Sequence, residues 1–279
     1  MFKIKKYLVF LLFVLFVKIK AQNELEIKGN LTFTNTPTSA NISSFTFSPL
    51  LEIGYKLKNE YYFALKMGAT YTRLERIGYS TDSRTDFANP IVTFGYINNK
   101  LTGISNLDML LNIGIPLATF PGNIPQNRLS EFNYTNANNI YGWKESLSWT
   151  MNVIPISVAL ATNNKLYKNL NFNFVINPIY FISVNSRPDK QAISANLQLE
   201  YDFNNYIVNL GTNYYYSLQS IENDDKDSHY LYIGNSFIIG DYLLGAEFNL
   251  NLDNRKQNIK RINEYNYGIL LKINKKLNL

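Results

Sequence analysis

From Glu24 onward the apolar residues fall at every second position, in one stretch after another. Glu60 to Thr72 shows the pattern: Tyr61, Phe63, Leu65, Met67, Ala69 and Tyr71 share one face of an extended chain. Tyr62, Ala64, Lys66, Gly68 and Thr70 share the other. Wound as a helix, the same residues scatter around the axis, so the period is that of a strand. The alternation predicts twelve strands, over residues 24–33, 45–57, 60–72, 87–97, 105–115, 141–161, 170–184, 191–203, 206–218, 229–239, 242–252 and 264–274. No capped helical segment interrupts them. Past residue 22 no stretch reaches the roughly eighteen apolar residues of a helical membrane span.

The connections are of two kinds, and they alternate. Short turns are expected at Lys58-Asn59-Glu60, Asn98-Asn99-Lys100, Asn163-Asn164-Lys165, Asn204-Asn205 and Gly240-Asp241. Asn and Gly accept the positive φ values of tight hairpins. Longer polar segments cover 34–44, 73–86, 116–140, 185–190, 219–228 and 253–263. Short turns on one rim and long loops on the other predict an all-β fold, a transmembrane antiparallel up-and-down β-barrel. An even strand count puts both termini on the short-turn rim. One strand breaks its own parity. Within 141–161 the apolar residues are odd-numbered through Leu147, Trp149, Met151 and Val153, then even-numbered at Ile156, Val158 and Leu160. A β-bulge at Ile154-Pro155 is the expected cause, since a one-residue shift flips every side chain and Pro cannot donate to the ladder.

The two faces differ in charge. Along the apolar parity of the twelve strands there is no Asp, Glu, Lys or Arg. That suits a lipid-facing wall, where a midplane charge costs about 2–4 kcal/mol. The opposite parity carries Glu26, Lys28, Glu52, Lys56, Lys66, Asp108, Glu200, Glu247 and Lys272, expected to form a polar network in the lumen. Inward Tyr62, Tyr230 and Tyr232 predict a constricted one. Aromatics gather at strand ends, as interfacial girdles do: Tyr55, Tyr61, Tyr96, Tyr201, Tyr206 and Tyr242 by the short turns. Tyr71, Tyr141, Trp143, Tyr214, Tyr216 and Tyr265 stand by the long loops. The longest connection, Pro116 to Ile140, holds three prolines together with Phe120, Leu129, Phe132 and Tyr134, which need an apolar resting place. A loop of this length is uncommon without a task. It is expected to fold over or into the barrel mouth, with Arg128 and Glu131 reaching the lumen; the competing expectation is a cap on the outer rim.

Composition agrees with a membrane wall. The 279 residues are 46% hydrophobic and only 17% charged, with 21 Tyr and 18 Phe. The N-terminus changes the reading of charge. Basic residues 1–6 precede an apolar run from Tyr7 to Val17, and Ala21 is a small residue at a cleavage position, the parts of an export signal. Removing residues 1–21 takes away five lysines and no acid, so a formal charge of +6 falls to +1. Nucleic-acid binding then loses its electrostatic support. The expected organisation is a signal peptide over 1–21 and one barrel domain over 22–279. The absence of Cys excludes disulfides and thiolate sites, and a single histidine, His229, excludes a multi-His metal centre.

The mature chain resembles the outer-membrane β-barrel superfamily of Gram-negative bacteria. The resemblance rests on architecture along its whole length, together with the Asn- and Lys-rich composition and the Ala21-Gln22 junction. The ending Lys275-Lys276-Leu277-Asn278-Leu279 departs from the usual terminal aromatic. The resemblance implies an outer-membrane location, outer-membrane lipid as solvent, and the barrel-assembly machinery as a partner during biogenesis. It also implies a narrow channel or carrier for small solutes; the alternative is a non-conducting structural or surface-interaction barrel. Some twelve-stranded barrels are phospholipases, and Ser228-His229-Tyr230 begins a strand at the long-loop rim. No nucleophile stands in a defensible pattern beside that histidine, so no enzymatic activity is expected. The acidic run from Glu222 to Asp227 lacks the ligand order of a Ca²⁺ loop. No cofactor, metal or catalytic residue is expected.

Overall fold

The computed structural model describes residues 24–39, 42–57, 60–76, 81–98, 106–117, 146–149, 153–184, 189–218, 228–252 and 267–278. Their strands are β1 (Glu24–Ser39), β2 (Ile42–Leu57), β3 (Tyr61–Arg76), β4 (Asp82–Phe87), β5 (Ile91–Asn98), β6 (Asn106–Gly114) and β7 (Val153–Tyr167). They continue as β8 (Leu170–Ser183), β9 (Lys190–Asp202), β10 (Tyr206–Ser217), β11 (Ser228–Ile239), β12 (Tyr242–Asn251) and β13 (Tyr267–Asn278). One helical turn, α1 (Ser146–Trp149), precedes β7.

Each strand pairs antiparallel with its sequence neighbour, and β1 pairs with β13 over Glu24↔Asn278 to Asn35↔Tyr267. The sheet is therefore a closed ring. β4 and β5 both pair with β3, at Ala69↔Phe87 and Tyr61↔Tyr96. They are two pieces of one stave, and the ring has twelve staves. The break is Ala88-Asn89-Pro90. Pro90 has no N–H to give the ladder, so a regular strand cannot run through it. Lys66 faces Ile91 while Ala69 faces Phe87, so the broken stave carries one residue more than β3 across the gap.

The alternation behaves as expected. Leu31, Met67, Phe94, Leu197, Leu231 and Ile269 stand exposed on the outer wall, while Thr32, Thr70, Thr93, Asn213 and Tyr232 are buried inside. Aromatic rings meet at the short-turn rim, where Tyr61 and Tyr96 lie 5.5 Å apart and Tyr206 and Phe237 4.7 Å apart. At the opposite rim Tyr214 and Tyr216 stack at 6.5 Å and Phe248 meets Tyr267 at 6.2 Å. Tyr141, Trp143 and Tyr265 lie outside the described residues. The turn chemistry also holds: Asn204 (φ 74°) and Gly240 (φ 57°) take left-handed conformations in their hairpins.

Several boundaries differ from the sequence reading. The sixth strand does not begin at 141; α1 occupies 146–149, and β7 starts at Val153. No bulge lies at Ile154-Pro155, because Val153↔Ser183 through Ser157↔Ile179 keep one register. The parity change marks the passage from helix to strand. The register shift of this hairpin falls between Lys165 and Tyr167 instead. Its turn is Lys168-Asn169, not Asn163-Asn164-Lys165, which belongs to β7. Segments 34–44 and 73–86 are largely strand, since β1, β2 and β3 run 16 residues each and β4 begins at Asp82. A tilted bilayer strand needs about nine to eleven residues, so these staves overshoot the apolar band. Outward Arg73 and Lys275 stand on the extended ends, outside the predicted strands.

Candidate functional site

The lumen is the only concave surface this ring encloses, and inward parity decides what lines it. On the β1–β3 wall the predicted charges meet as a string of alternating sign. Lys28 Nζ lies 2.8 Å from Glu26 Oε2 and 3.1 Å from Glu52 Oε1, and Lys66 Nζ lies 3.5 Å from the other Glu52 oxygen. The string exists because the hairpin register sets Lys28 opposite Glu52, and Glu52 opposite Lys66. Asn274 of β13 donates to Glu26 at 2.7 Å, and the Tyr62 hydroxyl donates to Glu52 at 2.8 Å. On β12–β13, Lys272 pairs with Glu247, whose side chain is 1% exposed against 32% for the lysine. Glu200 accepts from Gln198 Nε2 at 3.2 Å. Asp108 stands on β6 with Lys56 as its opposing charge, and its Oδ1 has no hydrogen-bond partner among the described residues. Of the nine predicted lumen charges, six therefore fall into two direct ion-pair clusters. Arg128 and Glu131 lie outside the described residues.

Of the three inward tyrosines expected to constrict the lumen, Tyr62 and Tyr232 lie against neighbouring strands, and Tyr230 is buried. Tyr62 lies over Gly54 and Tyr232 over Gly211, where an added Cβ would overlap each ring. Both rings therefore lie along the wall. The Tyr232 hydroxyl also donates to Gln198 Oε1 at 3.1 Å and accepts from Asn196 Nδ2 at 3.0 Å, which fixes it beside β9.

Against the inner wall stands α1. Asn89, fully buried in the broken stave, donates its backbone N–H to Ser148 O at 2.7 Å and its side-chain amide to Leu147 O at 3.3 Å. Its Oδ1 accepts from the Leu117 N–H at 3.0 Å. Leu147 packs on an apolar cluster of Val153, Ile179, Phe181, Ala192 and Tyr215, all inward residues of β7–β10. One helical turn thus links the β4–β5 break to the inner face of β7–β10. Asn89 was missed by sequence reading. Its signal was the Ala-Asn-Pro tripeptide at the edge of a run read as one continuous strand.

His229 faces outward, as its parity predicted. It meets the Tyr214 ring edge-on and lies 2.6 Å from Thr212 Oγ1. The Thr212 hydroxyl also stands within hydrogen-bonding reach of the Tyr230 carbonyl, at 2.9 Å. That geometry holds the imidazole against the wall at the long-loop rim.

A closed antiparallel ring with an apolar outside, aromatic girdles and a charged, hydrogen-bonded inside is the fold of outer-membrane barrels. Solved structures agree on this fold. An outer-membrane channel from Pseudomonas putida F1 aligns with 93% of this chain and 97% of its own, at 9% identity and TM-score 0.61. The NanC porin aligns over 91% and 100%, at 11% identity and TM-score 0.52, and the KdgM porin over 90% and 98%, at 7% and 0.50. No family model matches the sequence, and no curated protein matches it.

Proposed function

We propose that the chain is an outer-membrane channel of a Gram-negative bacterium that passes small, polar, weakly charged solutes. The carrying observation is the lumen itself: a wet, polar interior in a closed ring, with its ion-paired lysines and carboxylates neutralising one another at close range. Paired charges hold little net field for an ion to follow, so such a passage favours neutral polar solutes over strongly charged ones. The similarity to channel and porin structures supports the same reading. The role is passage, with no bond made or broken. Residues 1–21 serve as the cleaved export signal, and insertion from the periplasm leaves the short turns and both termini on that side.

The turn α1 and its apolar seat favour one competing state, a barrel sealed at its mouth that serves as a structural or surface element. Planar-bilayer recording separates the two. A conducting barrel gives steady single-channel steps with a reversal potential near zero in a salt gradient. A folded, heat-modifiable barrel that never conducts rejects the channel.

A further inference from the structure

The lumen has two unlike walls. Ion pairs collect on β1–β3 and β12–β13, whereas the middle of the β8–β10 wall is lined by amides, with Glu200 beyond Gln198 toward the short-turn end. A cavity of about 280 Å³ opens against it, lined by the side chains of Asn177, Ser194, Asn196, Gln198 and Asn213. Ala159 and Val175 form its apolar floor. No charged side chain lines it. Cross-strand register puts these groups side by side: Asn177 faces Ser194, and Asn196 faces both Val175 and Asn213.

The amides are not equivalent. Asn196 is tied up, donating to the Tyr232 hydroxyl at 3.0 Å and to Asn213 Oδ1. Gln198 is held between Tyr232 and Glu200. Asn177 differs: its Oδ1 is shielded from water and has no hydrogen-bond partner among the described residues, and Asn173 Oδ1, four residues away on the same face of β8, shares that condition. A shielded carbonyl oxygen without a donor is a cost that a ligand hydroxyl removes.

We infer that this wall is a binding subsite for one neutral polyhydroxylated ring of monosaccharide size. A carboxamide offers a donor pair and an acceptor in one plane, which matches the donor-and-acceptor character of each hydroxyl. The Ala159 and Val175 floor suits the C–H face of such a ring. The volume lies at the lower edge of small-molecule sites, which run roughly 300–1,000 Å³, so it holds one ring rather than a chain. A carboxylate-bearing ring would bring charge to a wall with no cation to meet it. The inference deepens the channel reading above by naming what the lumen holds in passage.

Calorimetric titration of the refolded, full mature barrel with D-glucose, D-glucuronate and D-glucosamine tests it. The expected result is saturable glucose binding, with both charged sugars weaker by about tenfold or more. Asn177→Leu should weaken glucose by about tenfold, and Asn177→Ser, a smaller change that keeps a polar group, by less. Thr93→Ala, on a distant stave, should leave glucose binding unchanged. Folding is read by heat-modifiable migration, and the Ser variant carries the comparison if the Leu variant does not fold. Equal or tighter binding of glucuronate overturns the inference, as does glucose affinity indifferent to both Asn177 variants. A barrel that conducts but binds no glucose overturns this subsite and leaves the channel standing. One that binds glucose but does not conduct overturns the channel alone.

Discussion

Lys272→Met removes the cation that faces Glu247 and leaves a carboxylate 1% exposed with its ammonium partner gone. Breaking a buried ion pair by removing one member costs about 3–5 kcal/mol, chiefly because the other charge stays behind in a poor solvent. Here the lysine end is one-third exposed to the lumen, so water already screens part of the attraction. The expected loss is therefore about 2–3 kcal/mol. Neutralising the remaining carboxylate reverses part of it. Lys272→Met combined with Glu247→Gln buries an uncharged amide and forfeits one charge-assisted hydrogen bond, about 1–2 kcal/mol. The double variant should thus be more stable than the single one, a sign that ordinary additive damage cannot produce. Reversible urea unfolding in lipid vesicles measures it. With a slope of about 1–3 kcal/mol per molar urea, the single variant should move its midpoint down by about 1 M. The same pair predicts selectivity: the single variant should shift the reversal potential toward cations, and the double variant should bring it back. A double variant no more stable than Lys272→Met alone would refute the reasoning, because it would mean the stranded charge was never the source of the loss.

On the wall, Leu197→Arg and Ile269→Arg should each lower folding stability by about 2–4 kcal/mol in vesicles, while Asn196→Leu, on the lumen side, should leave bilayer insertion intact. Leu65→Arg belongs with the first pair and Lys66→Leu with the second; equal tolerance of both sets would reverse the assignment of faces. At the mouth, Leu147→Asp and Asn89→Ala should release α1 and raise single-channel conductance while the barrel keeps its heat-modifiable migration. Unchanged conductance would show that α1 does not limit the passage. On the β8–β9 connection, the Asp189 carboxylate is held below its ordinary value of 3.8 by the Ser183 backbone N–H, at 2.9 Å, and then by the Tyr180 hydroxyl, at 2.8 Å. A depressed native value stabilises above the unfolded one and is lost as pH falls through the native one. Protection of the Ser183 amide, taken against its intrinsic exchange rate at each pH, should therefore fall below about pH 4 in the wild type. In Asp189→Asn it should show no such step.

The wall was legible because lipid imposes a rule on every outward position, and a rule of period two survives in a single sequence. Leu31, Met67, Leu197 and Ile269 each obey it independently. The rule stops where lipid stops. Ser39, Arg73 and Asn163 sit on strands that continue beyond the apolar band, where either face meets water and alternation carries no information. Leu147 and Trp149 imitated a strand because two apolar residues at alternate positions carry no period when the segment is a single helical turn. The lumen charges were legible as a set but not as pairs. Whether Lys28 meets Glu52 or Lys56 depends on hairpin register, and a shift of one residue along β2 would undo the string. Asn177 was invisible for a related reason: its unpartnered oxygen is a property of what β7, β9 and β10 leave around it.

The β1–β13 seam also governs how the molecule comes into being. Every other pairing joins staves that follow one another in the chain, but the hydrogen bond from Asn274 to Glu26 spans 248 residues. Closing so long a loop is the slowest kind of contact a chain makes, because its entropy must be lost before any bond rewards it. Until β13 arrives, β1 presents an unpaired edge to the bilayer, where bare N–H and C=O groups have no water to turn to. The half-made sheet is therefore worth far less than its share of the finished one. Assembly becomes all-or-none at the last step, and a chain that stops short of Tyr267 loses the ring itself and not merely one stave of it.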